Sequence, residues 1–147
     1  MAAHPVESIL HYRFSNHDLL DEALLAAGTT VSRRDIQGNP QGNKRLALLG
    51  DSIIKEVILE HWYLSGETTE EGTNEVINLA KNTKLSQVAH ESGLVEYVIK
   101  NPCQQGQVGQ RTAASTVEAL VGAVYLDCGE DISTVENVLE AINVLKS

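Results

Sequence analysis

Two acids stand among the apolar residues of helical patterns, and they are the residues of this chain best placed to do chemistry. Asp51 follows Gly50 and precedes Ile53 and Ile54, while Glu118 lies between Val117 and Ala119 in an Ala/Gly-rich run. A carboxylate among aliphatic side chains is excluded from a core by its desolvation cost, so each must lie at a polar edge or meet a partner. Helices rich in small residues can approach closely, which would bring the two carboxylates into one acidic centre. The structural alternative is that both are tied by hydrogen bonds to Arg45, Lys44 or Ser115. His61 and His90 stand on helix flanks with no nucleophile or acid arranged beside them, and histidine-driven chemistry is not indicated.

The elements that must position these acids follow from periodicity. Over 43–64, Leu46, Leu49, Ile53 and Val57, with Ile54 and Ile58, recur at three- and four-residue steps and predict a long central helix capped by Asn43. The run 111–127 predicts the helix of Glu118. Around them, 6–12 reads as a short first helix, and Ser15 to Asp18 as a cap feeding a second helix closed by Gly28. A surface loop over 29–42 contains Arg33 and Arg34. The polar break 65–72 carries Glu70 and Glu71 ahead of a helix over 73–82. Another short helix from Thr83 ends at Gly93, the apolar segment 94–99 follows, and 101–110 is a Gly/Gln-rich loop. Ser133 to Glu136 has the form of a capping box and predicts a last helix inside 133–146. No segment alternates as a strand does, so the fold expected is all-α, a single domain over 1–147 with about seven helices.

Charge and cysteine usage narrow the function. With 20 acidic against 11 basic residues and a net charge of −9, the surface as a whole repels phosphate. Arg33, Arg34, Lys81, Lys84 and Arg111 are scattered rather than clustered, which predicts weak unaided nucleic-acid binding. Cys103 and Cys128 have no metal-ligand spacing and read as two buried free thiols of a reduced intracellular protein. No apolar run is long enough to span a membrane. The start of the chain lacks a signal or transit pattern, so the expected location is cytoplasmic or nuclear rather than mitochondrial. Tyr125 and Trp62 read as core aromatics.

At the two acid-bearing helices the chain resembles the ribonuclease III endonuclease domain. The family signature Asn-Glu-Arg-Leu-Glu-Phe-Leu-Gly-Asp stands here as Asn43, Lys44, Arg45, Leu46, Ala47, Leu48, Leu49, Gly50 and Asp51. The second motif, Ala-Asp-x-x-Glu-Ala-x-x-Gly-Ala-x-Tyr-Leu-Asp, runs from Ala114 through Ser115, Glu118, Gly122 and Tyr125 to Asp127. Tyr12 to Phe14 followed by Leu19 and Leu20 is similar to the family's opening, and Glu71 with Gly72 matches its Glu-Gly. The resemblance covers roughly 8–130, with a C-terminal helix after it.

This resemblance implies a dimeric helical bundle and two-metal hydrolysis of double-stranded RNA, with carboxylates holding Mg²⁺ or Mn²⁺. Of the family's six acidic positions, the chain keeps Asp51, Glu71 and Glu118 and replaces the others with Lys44, Ala47 and Ser115. Asp51 and Glu118 are then the expected catalytic residues and, with Glu71, the metal ligands of a reduced centre, while the Lys44 ammonium could fill part of a cation's space. The functions implied are a catalytically impaired domain of RNA metabolism that binds RNA, a catalytic partner or a ribonucleoprotein, or an endoribonuclease using a single metal site at Asp51 and Glu118. A homodimer is expected because Leu48, Ile54 and Ile58 exceed what one intramolecular face needs. At Leu48 the family carries an aromatic plug into the other subunit, so the plug here is smaller.

Overall fold

The computed structural model describes residues 3–29, 40–100 and 108–146. Arg33, Arg34, Cys103 and most of both predicted loops lie outside them. The described residues form seven α-helices: α1 (Pro5–Leu10), α2 (His17–Leu24), α3 (Lys44–Ser65), α4 (Thr69–Ala80), α5 (Asn82–Ser92), α6 (Gln110–Asp127) and α7 (Ile132–Ala141), with a 3-10 turn at Leu94–Tyr97. They contain no strand, only one isolated bridge between Leu25 and Ile99. None of these helices is long and apolar enough to cross a membrane.

The helix at the centre is α6 rather than α3. Nearly every side of α6 is buried, including Ala113, Val117, Leu120, Val121 and Val124, and α2, α3, α5 and α7 all pack on it. Its small residues explain the position, because a helix of Ala, Gly and Val can be surrounded at close range where one of Leu and Ile would hold its neighbours apart. The longer α3 keeps one face in solvent.

Helix ends differ from the predicted ones for local reasons. Beyond Leu24 the backbone leaves α2 to pair with Ile99, whose N–H donates to Leu24 O at 2.8 Å and whose carbonyl accepts from Ala26 N at 3.0 Å. This stops α2 before Gly28. Thr68 and Glu71 form a reciprocal capping box, so α4 starts at Thr69. The cap of α7 is Asp131, whose carboxylate accepts from Ser133 N at 3.1 Å, and not the box at Ser133. That helix ends early because Asn143 takes a left-handed φ of 66° and sends the following N–H groups back to Leu139 O.

Asn43 has a different role from the predicted one. Its side chain makes no cap hydrogen bond on α3; it is buried and its amide donates to Ala23 O at 2.9 Å and Thr116 Oγ1 at 3.4 Å. It therefore ties α2, α3 and α6 at the point where α3 begins. Asp127, at the other end of α6, accepts from Tyr12 Oη at 2.6 Å and from the Ser15 and Asn16 N–H groups, both at 2.8 Å. Burial raises the Asp127 pKa, but those bonds outweigh it and hold the carboxyl below its usual range. Trp62, expected in the core, is half-exposed; its indole covers Gly72 and its Nε1–H donates to Thr68 O at 2.7 Å. Tyr125 is half-buried against the core, and Cys128 is a half-buried free thiol.

Candidate acidic centre between two helices

The seam between α3 and α6 is made of backbone on backbone. A Cβ on Gly50 would fall on the Glu118 carbonyl, and one on Gly122 would fall on the Leu46 carbonyl and meet Gly50 N at 3.3 Å. Because Leu46 faces Gly122 while Gly50 faces Glu118, the two helices cross in opposite directions. Main chains this close carry the side chains at the seam's edge into contact, and Asp51 and Glu118 are those side chains.

The two carboxyls lie close enough for the Asp51 side chain to act on the ionisation of Glu118. Burial pushes the Glu118 pKa up first, the neighbouring Asp51 side chain pushes it further, and Lys55 opposes them; the result is about 8 against an ordinary 4.5. Lys55 was not singled out in the sequence. Its Nζ donates to Asp51 Oδ2 at 3.1 Å, with the Asp51 side chain 33% and the Lys55 side chain 46% exposed. The signal for it was the four-residue step from Asp51 to Lys55, which puts both on one helix face.

The remaining expected site residues are distributed differently. Ala47 is buried one turn before Asp51, and Ser115 is half-buried one turn before Glu118. Lys44 is exposed at the first residue of α3, and the ammonium that meets Asp51 is that of Lys55. Glu71 is exposed, and its carboxylate accepts from Thr68 N at 3.3 Å, so it closes the α4 cap. Its neighbours are acids: Glu75 first, with Glu71 after it, raises the pKa of Glu67. Among the described residues no three His, Cys, Asp or Glu side chains converge where they could share a metal ion. The donor set does not fit a two-metal cage. What it does hold is a pair of neighbouring carboxyls with an ammonium on one of them. His61 is bound elsewhere, 3.0 Å from Glu136 of α7.

The expected intersubunit residues divide. Ile54 and Ile58 are 0% and 1% exposed within the chain's own core, which removes them from any surface a second copy could touch. The reason is that α3 presents them to the helices beneath it and turns Leu48, 76% exposed, outward. Leu59, Tyr63 and Leu64 are exposed further along α3.

The Glu118 proton gives a pH dependence with a definite sign. From about pH 4.5 to about pH 8 the folded chain keeps a proton that the unfolded chain has lost, so stability falls as pH rises through that window. Solvent reaches both carboxylates and screens their repulsion, leaving an effect on the order of 1–2 kcal/mol. Glu118→Gln, which removes the titration at nearly constant shape, is expected to flatten this loss between pH 5 and 9 in urea midpoints. An unchanged slope would place the titrating group elsewhere.

Comparison with known proteins gives a consistent assignment. The family described as Ribonuclease-III-like matches residues 18–143. Ribonuclease 3 of Aliarcobacter butzleri is 33% identical over 130 residues, covering 84% of this chain and 54% of that protein. Ribonuclease 3 of Caenorhabditis briggsae is 32% identical over 131 residues, covering 86% of this chain and 12% of that protein. The chain thus spans about half the length of the bacterial relative and a small part of the nematode one. Two solved structures of the nuclease domain of ribonuclease III from Campylobacter jejuni superpose with TM-scores of 0.80 and 0.78 at 20% identity, covering 94% of this chain. They cover 94% and 91% of those chains, and the first is described by flexibility in its region of dimer formation.

Proposed function

Because this chain belongs to the ribonuclease-III-like family, we propose that it acts in RNA processing as a dimeric domain whose acidic centre is too depleted for ordinary Mg²⁺-dependent cleavage of duplex RNA. One observation carries this reading. Among the described residues only Asp51 and Glu118 come together at the α3–α6 seam, and Lys55 already neutralises part of the charge at Asp51. A centre with few anionic donors binds a dication weakly. Each 1.36 kcal/mol of lost transition-state stabilisation is about tenfold in rate, and several missing acids multiply that loss. The solvent-facing Leu48 supports the dimer, and the net charge of −9 supports weak contact with RNA, because few phosphates can be neutralised. A catalytic or ribonucleoprotein partner would then supply the tighter contacts.

The second reading is an endoribonuclease working with a single metal site at Asp51 and Glu118. The meeting of these two carboxyls favours it, as do relatives bearing the name Ribonuclease 3. A cleavage assay on long duplex RNA, with Mg²⁺ and with Mn²⁺ and with Asp51→Ala/Glu118→Ala as control, separates the two. The expected result is no cleavage above that control. Robust wild-type cleavage abolished by Asp51→Ala would establish the single-site enzyme instead.

A further inference from the structure

The geometry points to Lys55 as a cation carried by the chain itself that takes the electrostatic place of a divalent ion at Asp51, beside Glu118. The inference rests on the reading of this centre as degenerate. Three observations meet at one spot. The Lys55 ammonium donates to Asp51 Oδ2 at 3.1 Å. Its charge also reaches across the seam and acts on Glu118 of α6. Finally, the positions where further carboxylates would outweigh one ammonium hold a buried Ala47 and a half-buried Ser115.

The physical argument concerns competition. An ammonium is a compact point charge with three donors on a flexible four-carbon stem, well suited to reach back one turn along a helix. Acid before base at a four-residue step is also the favoured order on a helix. Being tethered, Lys55 stands beside Asp51 at an effective concentration on the order of millimolar or above. A free dication must displace it or share the carboxylates with it, and like charges this close repel strongly where water is partly excluded. A single ammonium would not win against four or more converging carboxylates. It can win against two, one of which it already holds at 3.1 Å.

The test is a calorimetric titration of Mn²⁺ at pH 7 into the wild-type chain, Lys55→Met, Lys55→Arg and Lys55→Met/Asp51→Asn. Lys55 is exposed enough that none of its variants opens a core cavity, and circular dichroism checks the fold of each. Lys55→Met is expected to bind Mn²⁺ about tenfold or more tighter than wild type, a modest fraction of the repulsion between close charges. Lys55→Arg keeps the charge and should behave as wild type, and the double variant should lose the gain. Equal affinities for wild type and Lys55→Met would overturn the inference, as would a gain that persists in Lys55→Arg or in the double variant. These outcomes are distinct from failure of the functional reading. Wild-type cleavage of duplex RNA would sink that reading, whereas equal Mn²⁺ affinities in a wild type that does not cleave would sink the role of Lys55 alone.

Discussion

Gly50→Ala is expected to abolish the fold or to lower the melting temperature by about 10 °C or more. The added Cβ would land on the Glu118 carbonyl, which is main chain in the middle of a packed helix and cannot rotate aside as a side chain can. The only relief is to part α3 from α6, and that would undo the most extensive helix pairing among the described residues. Overpacking typically costs about 1–3 kcal/mol, and a clash with backbone belongs at or above the top of that range. Against a total stability on the order of 5–15 kcal/mol this is a large share. A loss near 3 kcal/mol corresponds to roughly 10 °C for a domain of this size. Gly109→Ala is the control: no atom lies near its Cβ position and its φ is −66°, so it should stay within about 1 kcal/mol of wild type. Thermal unfolding followed by circular dichroism compares the two. A folded Gly50→Ala with unchanged melting would mean that the seam is not closed by these glycines.

Restoring acids is expected to have the second-largest effect, with opposite signs in the absence and presence of metal. Ala47→Glu together with Ser115→Asp would add two carboxylates beside a pair whose charges already oppose one another. Ala47 is 7% exposed, so its replacement must carry charge into a place water reaches poorly. Without a divalent ion the double variant is expected to be less stable than wild type by about 2–4 kcal/mol at pH 8, where like charges and desolvation act together. With Mn²⁺ at about a hundred times its dissociation constant, binding to the folded state alone should return about 2.7 kcal/mol. Wild type should show little of that rescue. Ser115→Asp alone is the milder variant, since Ser115 is half-buried and adds a single charge. Melting curves with and without Mn²⁺ decide the matter: a variant that folds yet gains nothing from the ion would show that these positions do not converge on Asp51 and Glu118.

What could be read in the sequence, and what could not, follows from how local each determinant is. The helices were legible because stripes such as Leu46, Ile53 and Val57 repeat within a single element. The pairing of Asp51 with Glu118 was legible because small residues flank both acids. Asn43 misled because Asn before an apolar run usually caps a helix, whereas here the amide is spent on Ala23 and Thr116, neighbours that only the tertiary fold supplies. Ile54 and Ile58 misled because an apolar residue at a helix edge looks the same whether it faces its own core or a second copy. The assignment of α3 as the centre failed because hydrophobicity was weighed and size was not; the buried hub is the helix of Ala, Gly and Val. Glu71 matched a family position, yet its bond to Thr68 N has a local explanation in the capping box that Thr68 and Glu71 spell out. Lys55 carries no signal at the matched acidic positions; only its place one turn after Asp51 marks it.

The glycine seam also bears on how such a chain can drift over generations. Fold and chemistry here depend on different residues: Gly50 and Gly122 set the distance between α3 and α6, while Lys44, Ala47 and Ser115 stand at matched acidic positions that the seam does not use. A lineage can therefore shed acids one at a time, each loss relieving repulsion rather than opening a gap, whereas either glycine is close to irreplaceable. Mutations that silence the chemistry are then nearly neutral for folding, and mutations that rebuild it must pass through forms crowded with unneutralised charge. On the proposed reading of this centre, loss of acids is downhill and recovery is uphill, an asymmetry set by where two backbones touch.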